Sequence, residues 1–229
     1  MLISVLIPCF NEKKTIEEIV NRINDLKDLN LEIIIIDDNS NDGTKELLKD
    51  KIKDKVSKII FNNKNYGKGY CVKKGIQASN GDAILIQDAD LEYDPSDYPK
   101  LIKPIENGSA DVVYGSRFLG GDERRVLYFW HSLGNKLLTI FSNMFTNLNL
   151  TDMEVGYKLF RSEILKDINL VENRFGIEPE VTAKISKKKI RIFEVGISYY
   201  GRKYEDGKKI TWKDGFSAIR CIIKYNLFD

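Results

Sequence analysis

The sequence predicts an α/β fold: a mostly parallel central sheet with helices on both faces. Three observations carry that expectation. Short apolar runs alternate with stretches of helical periodicity through the first 115 residues, the order of repeated βαβ units. The runs are continuously apolar rather than alternating, as strands covered on both faces are. Polar, acid-rich segments follow these runs, at the edge where open parallel sheets present their ligand sites.

Each element follows from its own pattern. Ile3–Pro8 is a short apolar run and reads as the first strand. Lys14–Leu26 carries Ile16, Ile19, Val20, Ile23 and Leu26 at helical spacing. Glu32–Ile36, with four consecutive isoleucines, is the second strand, and Gly43–Lys53 the second helix. Lys58–Phe61 is a third strand, Gly69–Ala78 a third helix, Asp82–Gln87 a fourth strand. Asp97–Asn107 is a helix and Asp111–Gly115 a fifth strand. Beyond these, Arg125–Leu148 is one long candidate helix, with Val126, Trp130, Leu133, Leu137, Phe141, Met144 and Leu148 recurring at helical steps. Asp152–Phe160 and Arg191–Tyr200 read as strands, with the helix Pro179–Ser186 between them. Gly201–Lys209 reads as a loop and Phe216–Tyr225 as a last helix.

Composition bounds the function. The 229 residues fit one large domain, 1–229, that needs neither disulfide nor metal to fold. Lys and Arg number 36 against 34 Asp and Glu, a net charge of +2, which argues against a nucleic-acid binder. The 42% hydrophobic content excludes intrinsic disorder. Cys9, Cys71 and Cys221 have neither zinc spacing nor a disulfide framework and read as reduced core thiols of a cytoplasmic protein. No signal peptide is recognised and no run of apolar residues is long enough to span a membrane.

The strand ends carry the chemistry. Asp88 and Asp90, with Glu92, follow the fourth strand. Carboxylates so close repel unless a cation sits between them, and Mg²⁺ or Mn²⁺ takes one or two carboxylates together with phosphate oxygens. Asp37 and Asp38 follow the second strand; a carboxylate there can accept from a base N–H or a ribose hydroxyl, whereas the bland alternative is an N-cap, a task open also to Asn39, Ser40 or Asp42. Asn65–Gly69 is a glycine-rich turn into a helix, where backbone N–H groups and Lys68 can face phosphate or ribose. It is not a Walker loop.

Taken together, P-C-F-N-E, D-D-N-S-N-D-G-T, N-Y-G-K-G, D-A-D-L-E and G-S-R resemble glycosyltransferase family 2, within it most the dolichyl- or polyprenyl-phosphate hexosyltransferases. The likeness is close over about the first 120 residues and looser beyond, through T-D-M-E-V-G-Y-K-L-F-R and R-K-Y-E-D-G-K-K. It implies the GT-A fold, a nucleotide-sugar-binding half (1–120) followed by an acceptor half (121–229). Carried over residue by residue, Pro8, Phe10 and Glu12 match the base- and ribose-contacting first loop, and Asp37 and Asp38 the nucleobase site. Asp88, Ala89 and Asp90 match the metal and ribose loop, with Glu92 where the lipid-linked group usually has Gln. Arg117, Arg202, Lys208 and Lys209 match basic residues that meet phosphate, and Asp152 an acid facing the acceptor.

The resemblance implies an inverting, metal-dependent transfer of a hexose from a UDP- or GDP-linked sugar. The acceptor it implies is a polyprenyl phosphate at the inner face of a membrane; the alternatives are a hydroxyl of an envelope glycan, or a module that binds sugar nucleotides without catalysis. A hydroxyl acceptor needs a carboxylate base. Asp152 is the first candidate, Glu154 and Glu180 weaker ones, and for Glu178 and Glu180 the bland alternative is a helix N-terminus. With a phosphate acceptor, Asp152 orients instead. The apolar face of the long helix is expected to pack on the sheet, with a peripheral membrane contact as the alternative. His131, on that helix, reads as a packed or capping residue.

Overall fold

A computed structural model of the chain describes residues 1–120, 126, 128–201 and 212–228. The elements are β1 (Leu2–Cys9), α1 (Ile16–Asn24), β2 (Asn30–Asp37), α2 (Thr44–Leu47), β3 (Lys58–Phe61), α3 (Lys68–Ala78), β4 (Ala83–Ile86), α4 (Tyr98–Glu106) and β5 (Val112–Ser116). They continue with α5 (Phe129–Thr146), β6 (Lys158–Arg161), α6 (Ser162–Lys166), α7 (Ile177–Ser186), β7 (Ile192–Gly196) and α8 (Trp212–Leu227). Among the described residues one seven-stranded sheet runs in the order β3-β2-β1-β4-β6-β5-β7. The first four strands are parallel, β6 is antiparallel to both neighbours, and β5 and β7 pair in parallel. The sheet is therefore mixed: an antiparallel strand from late in the chain separates β4 from β5.

The centre of the sheet is where the sequence is most apolar. Val5–Ile7 and Ile33–Ile36 are buried on both faces, as helix-covered parallel strands are. On α1, Ile16, Ile19, Val20 and Ile23 face the core while Arg22 reaches Asp94 at 3.0 Å. All three cysteines are free and buried.

Several boundaries moved, each for a physical reason. The second helix gives only four α-helical residues, then a widened π-turn at Leu48–Ile52 that keeps both of its apolar ends buried. Of the strand expected over 152–160, only Lys158 onward pairs. Lys158 Nζ bonds the carbonyls of Met153 and Val155, groups that a strand neighbour would otherwise satisfy. The strand expected over 191–200 ends at Gly196, because Ser198 N turns to Asp97 Oδ2 (2.7 Å) and Tyr200 N to the Glu92 carbonyl (2.9 Å). The five-residue α6 is too short for periodicity to reveal.

The long helix overturns its packing expectation. Its buried positions are Thr139, Ser142 and Thr146, while Trp130 is 78% and Met144 74% exposed, with Phe129, Leu137 and Ile140 also exposed. The helix lies chiefly against α7 and α8 rather than on the sheet. Its inner face is mixed: Leu138, Phe141 and Phe145 pack half-buried against the core, while its polar residues satisfy a loop, Thr139 Oγ1 accepting from Met153 N and Asn143 bracketing both the N–H and the carbonyl of Leu150. Among the described residues no helix is long and apolar enough to cross a membrane.

Candidate active site

The carboxyl ends of β1, β2 and β4 open with α3 and β5 onto a cleft of about 1640 Å³, closed on its far side by α5 and α8. Two turns are made by asparagines in the left-handed region, Asn11 after β1 (φ 54°) and Asn39 after β2 (φ 62°), conformations Asn tolerates better than bulkier residues. They are tied together: Asn11 Oδ1 accepts from Asn41 N, and Asn11 N donates to Ser40 Oγ. Thr15 Oγ1 donates to the Ala89 carbonyl at 3.0 Å, joining this double turn to the loop after β4.

Pro8, Phe10, Glu12, Asp38, Lys68, Asp88, Ala89, Asp90, Glu92 and Arg117 all line this cleft. Asp37 and Asp152 do not. Asp37 is fully buried, with Oδ2 accepting from Ser40 N at 3.2 Å and Oδ1 left without a partner. The two adjacent acids thus divide their tasks, as do the capping residues: Asp42, not Asp37, accepts from Thr44 N at the start of α2. Asp38 organises the glycine-rich turn. Its carboxylate accepts from Asn62 Nδ2 (2.8 Å), Tyr66 N (3.0 Å) and Gly67 N (2.6 Å). Gly67 has φ of 104°, and a Cβ there would stand 2.5 Å from the Asn173 carbonyl, so the turn requires glycine.

Lys68, first residue of α3, bridges two carboxylates, Asp88 at 2.7 Å and Glu178 at 3.1 Å. Burial pulls its pKa down, but these two acids outweigh it and hold the ammonium charged. Gly156 packs so close that a Cβ would come within 2.4 Å of Asp88 Oδ2. Glu92 takes the Tyr199 hydroxyl at 3.0 Å, and Asp90 Oδ1 accepts from Glu92 N at 3.2 Å.

The expected three-carboxylate metal cluster therefore does not form: among the described residues no group of three ligating side chains converges. Asp88 and Asp90 remain as two hard-oxygen donors at the cleft wall. That donor set fits Mg²⁺ or Mn²⁺ when phosphate oxygens and water complete the shell, and Glu92, committed to Tyr199, stands aside.

Arg117 and Asp152 form a buried two-pronged pair. Arg117 Nε donates to Asp152 Oδ2 at 2.6 Å and Nη2 to Oδ1 at 2.7 Å; Asn135 donates to the same Oδ1 at 3.1 Å. Asp152 is 0% exposed, so the first-choice base is enclosed behind the arginine it holds. Glu180 is likewise structural, accepting from the backbone N–H groups of Val171 and Glu172 and from Lys184. Glu154 is the acid that does reach the cleft. Burial, then the neighbouring Glu178, pushes its carboxyl up to about 8. Arg202, Lys208 and Lys209, expected at phosphate, lie outside the described residues, as do Arg124 and Arg125.

Sequence reasoning missed Asn135, Tyr199 and the approach of Arg174 and Phe175 to the cleft. Only Asn135 left a signal, one turn after His131, which also lines the cleft. The others arrive through tertiary packing.

The chain is similar in sequence or fold to several known proteins. A dolichol-phosphate mannosyltransferase of Pyrococcus furiosus is 30% identical over 227 residues, 98% of this chain and 63% of that protein. An undecaprenyl-phosphate 4-deoxy-4-formamido-L-arabinose transferase of Aeromonas hydrophila is 28% identical over 85% of this chain and 59% of its own length. The chain thus spans less than two thirds of either relative. A glucosyl-3-phosphoglycerate synthase of Mycobacterium tuberculosis, crystallised with Mn²⁺, uridine diphosphate and phosphoglyceric acid, superposes with a TM-score of 0.76 at 17% identity, over 99% of this chain and 79% of that one. The fold is GT-A. The family model described as glycosyl transferase family 2 matches residues 4–169, from the first strand past the buried Asp152, and the chain belongs to that family.

Proposed function

We propose that this chain is a hexosyltransferase that moves a hexose from a UDP- or GDP-linked donor to a polyprenyl phosphate at the cytoplasmic face of a membrane, inverting the anomeric carbon. The observation that carries the reading is the cleft itself. One wall is polar and comes from the strand ends; the opposite wall is apolar and comes from Trp130, Leu137 and Phe141 of α5 with Phe216 and Ile219 of α8. A nucleoside diphosphate suits the first wall and a prenyl chain the second. The two lipid-phosphate sugar transferases among its relatives support the same acceptor class.

The transfer forms a bond from an acceptor phosphate oxygen to the anomeric carbon and breaks that carbon's bond to the diphosphate, which leaves with the electron pair. The nucleophile is already an anion, so no proton has to be removed. Lys68 holds positive charge where the leaving group grows negative. With this acceptor Asp152 is a positioning group rather than a base: it fixes the Arg117 guanidinium, which meets phosphate at the cleft wall. Asp88 and Asp90 would hold Mg²⁺ or Mn²⁺, which when bound would add charge neutralisation for the diphosphate. Neighbours of the same fold crystallised with Mn²⁺ or Mg²⁺ and uridine diphosphate support that choice.

One observation favours a second acceptor. Glu154, in the cleft with a carboxyl near 8, is tuned as a base for a hydroxyl nucleophile. Incubation with radiolabelled UDP-glucose or GDP-mannose, Mg²⁺ and vesicles containing polyprenyl phosphate separates the readings. Label extracted into the lipid phase is expected. Label transferred only to a soluble glycan establishes the hydroxyl acceptor, and no transfer from any donor overturns the assignment.

A further inference from the structure

Lys158, the first residue of β6, is a buried charged side chain that the transfer described above leaves unused. It is 2% exposed, on the strand between β4 and β5, and its ammonium lies 4.7 Å above the Tyr114 ring. Burying an ammonium is costly, and a methionine of similar length would avoid that cost. The hydrogen bonds of this lysine are spent on one short segment: Nζ donates to the carbonyls of Met153 and Val155. Glu154, which lines the cleft, stands between those two bonded residues.

The segment is a bridge between two groups of the cleft. At its start Asp152 takes the Arg117 guanidinium, and the Asp152 N–H is itself held by Glu194 Oε1 at 3.2 Å. At its end Gly156 packs against Asp88 and donates its N–H to the Tyr93 hydroxyl at 3.1 Å. Tyr157 reaches both groups. Its carbonyl accepts from Gly115 N at 2.9 Å, two residues before Arg117. Its hydroxyl donates to Gln87 Oε1 at 2.5 Å, and the Gln87 amide donates to the Asp88 carbonyl at 2.9 Å. The two ends are thus tied to opposite walls. Lys158 holds the carbonyls of the span between them, and the shape of that span sets how far apart the ends stand.

We propose that Lys158 is a positioning residue: by holding the carbonyls of Met153 and Val155 it fixes the segment 152–157, and with it the spacing of Arg117 from Asp88. The inference rests on the transfer reading above, in which Arg117 meets phosphate and Asp88 stands on the diphosphate side. Transfer between those two groups needs their interval held, since displacing a reacting group by about 1 Å costs on the order of 100-fold in rate. Lys158 is not part of the cleft lining. Its effect therefore falls on turnover and not on nucleotide affinity.

Lys158→Met keeps the length of the side chain and removes its donors. Wild type and variant are compared by calorimetric titration of UDP and GDP in Mg²⁺. They are compared again by kcat and KM for UDP-glucose or GDP-mannose in the vesicle assay, with kcat counted per nucleotide-binding site so that unfolded protein does not enter. The variant is expected to bind the matching nucleoside diphosphate within about twofold of wild type, to keep its donor KM within about threefold, and to lose on the order of 100-fold in kcat. Because Lys158 acts through Arg117, the cost of Lys158→Met should shrink to below about threefold in an Arg117→Lys background. Three results each overturn the proposal: wild-type turnover per site, nucleotide binding and turnover that weaken alike, or losses that multiply in full in the double variant. Should Lys158→Met fail to fold, Lys158→Gln, whose shorter amide cannot span both carbonyls, decides by the same readings. Absence of transfer by the wild type from either donor defeats the transfer reading itself, and the inference with it.

Discussion

The two sides of the cleft are built by opposite means. On the side of β1, β2 and β4, functional groups stand at the ends of buried parallel strands, within a few residues of the apolar runs that anchor them. On the side of α5, functional groups hang on one another. Arg117, though it follows β5, is placed by Asp152 and Asn135, residues from a loop and a helix beyond the expected division near residue 120. The strand-end side spends its apolar residues on the core; the α5 side leaves Phe129 and Met144 exposed and turns Trp130 to the cleft. A site anchored by backbone register tolerates change around it, whereas a site held by side-chain pairing fails when one partner is lost.

That contrast is sharpest at Asp152. Asp152→Ala leaves the Arg117 guanidinium buried without its counter-charge, and is expected to cost about 3–5 kcal/mol in denaturant unfolding. A loss below about 1 kcal/mol would show that this wall of the cleft does not depend on the pair. Glu154 gives a smaller, pH-dependent effect. Its carboxyl lies near 8 in the folded chain against an ordinary 4.5, so the folded state keeps a proton that the unfolded chain has released. Stability falls as pH rises through that window. Lys158, pushed down to about 8 by burial, gives the opposite slope only above it. Relative to wild type, Glu154→Gln is expected to gain stability from about pH 5 to 8, on the order of 3 kcal/mol, read as a Tm difference of several degrees that grows with pH. Parallel Tm profiles would refute this. The smallest effect belongs to the outward face of α5: Met144→Ser should stay within about 0.5 kcal/mol in the same unfolding assay. A larger loss would mean that this face is covered in solution.

The same contrast explains what could be read from sequence. Lys58–Phe61 was readable to the residue, and Lys68, Asp88 and Asp90 stand in one cleft because the register of adjacent parallel strands brings their ends together. Asp152 was singled out by the family resemblance, but its task depends on Arg117, which comes from a distant strand end, so the sequence left base and orienting group as alternatives. The outward face of α5 shows helical periodicity as clearly as α1 does. Periodicity marks an apolar stripe without saying what covers it, and the buried stripe here is set by the hydrogen-bond needs of the loop at 150–153. Glu154 gains its interest from Glu178, on another helix, a contact that no local pattern encodes.

The antiparallel β6 has a consequence for synthesis. Among the described residues β5 pairs with β6 and β7 only, and both lie well downstream. At roughly 5–20 residues per second, a ribosome finishes β5 seconds before its first partner, Lys158 opposite Tyr114, has been made. During that interval Val112–Ser116, a strand fully buried in the finished molecule, has both edges open. The parallel strands β1 to β4 can meet early, but the sheet closes only when the chain returns to insert β6 between β4 and β5. The nascent chain thus carries its aggregation hazard in the middle of its sequence, and translation speed over residues 116–158 sets how long the hazard lasts.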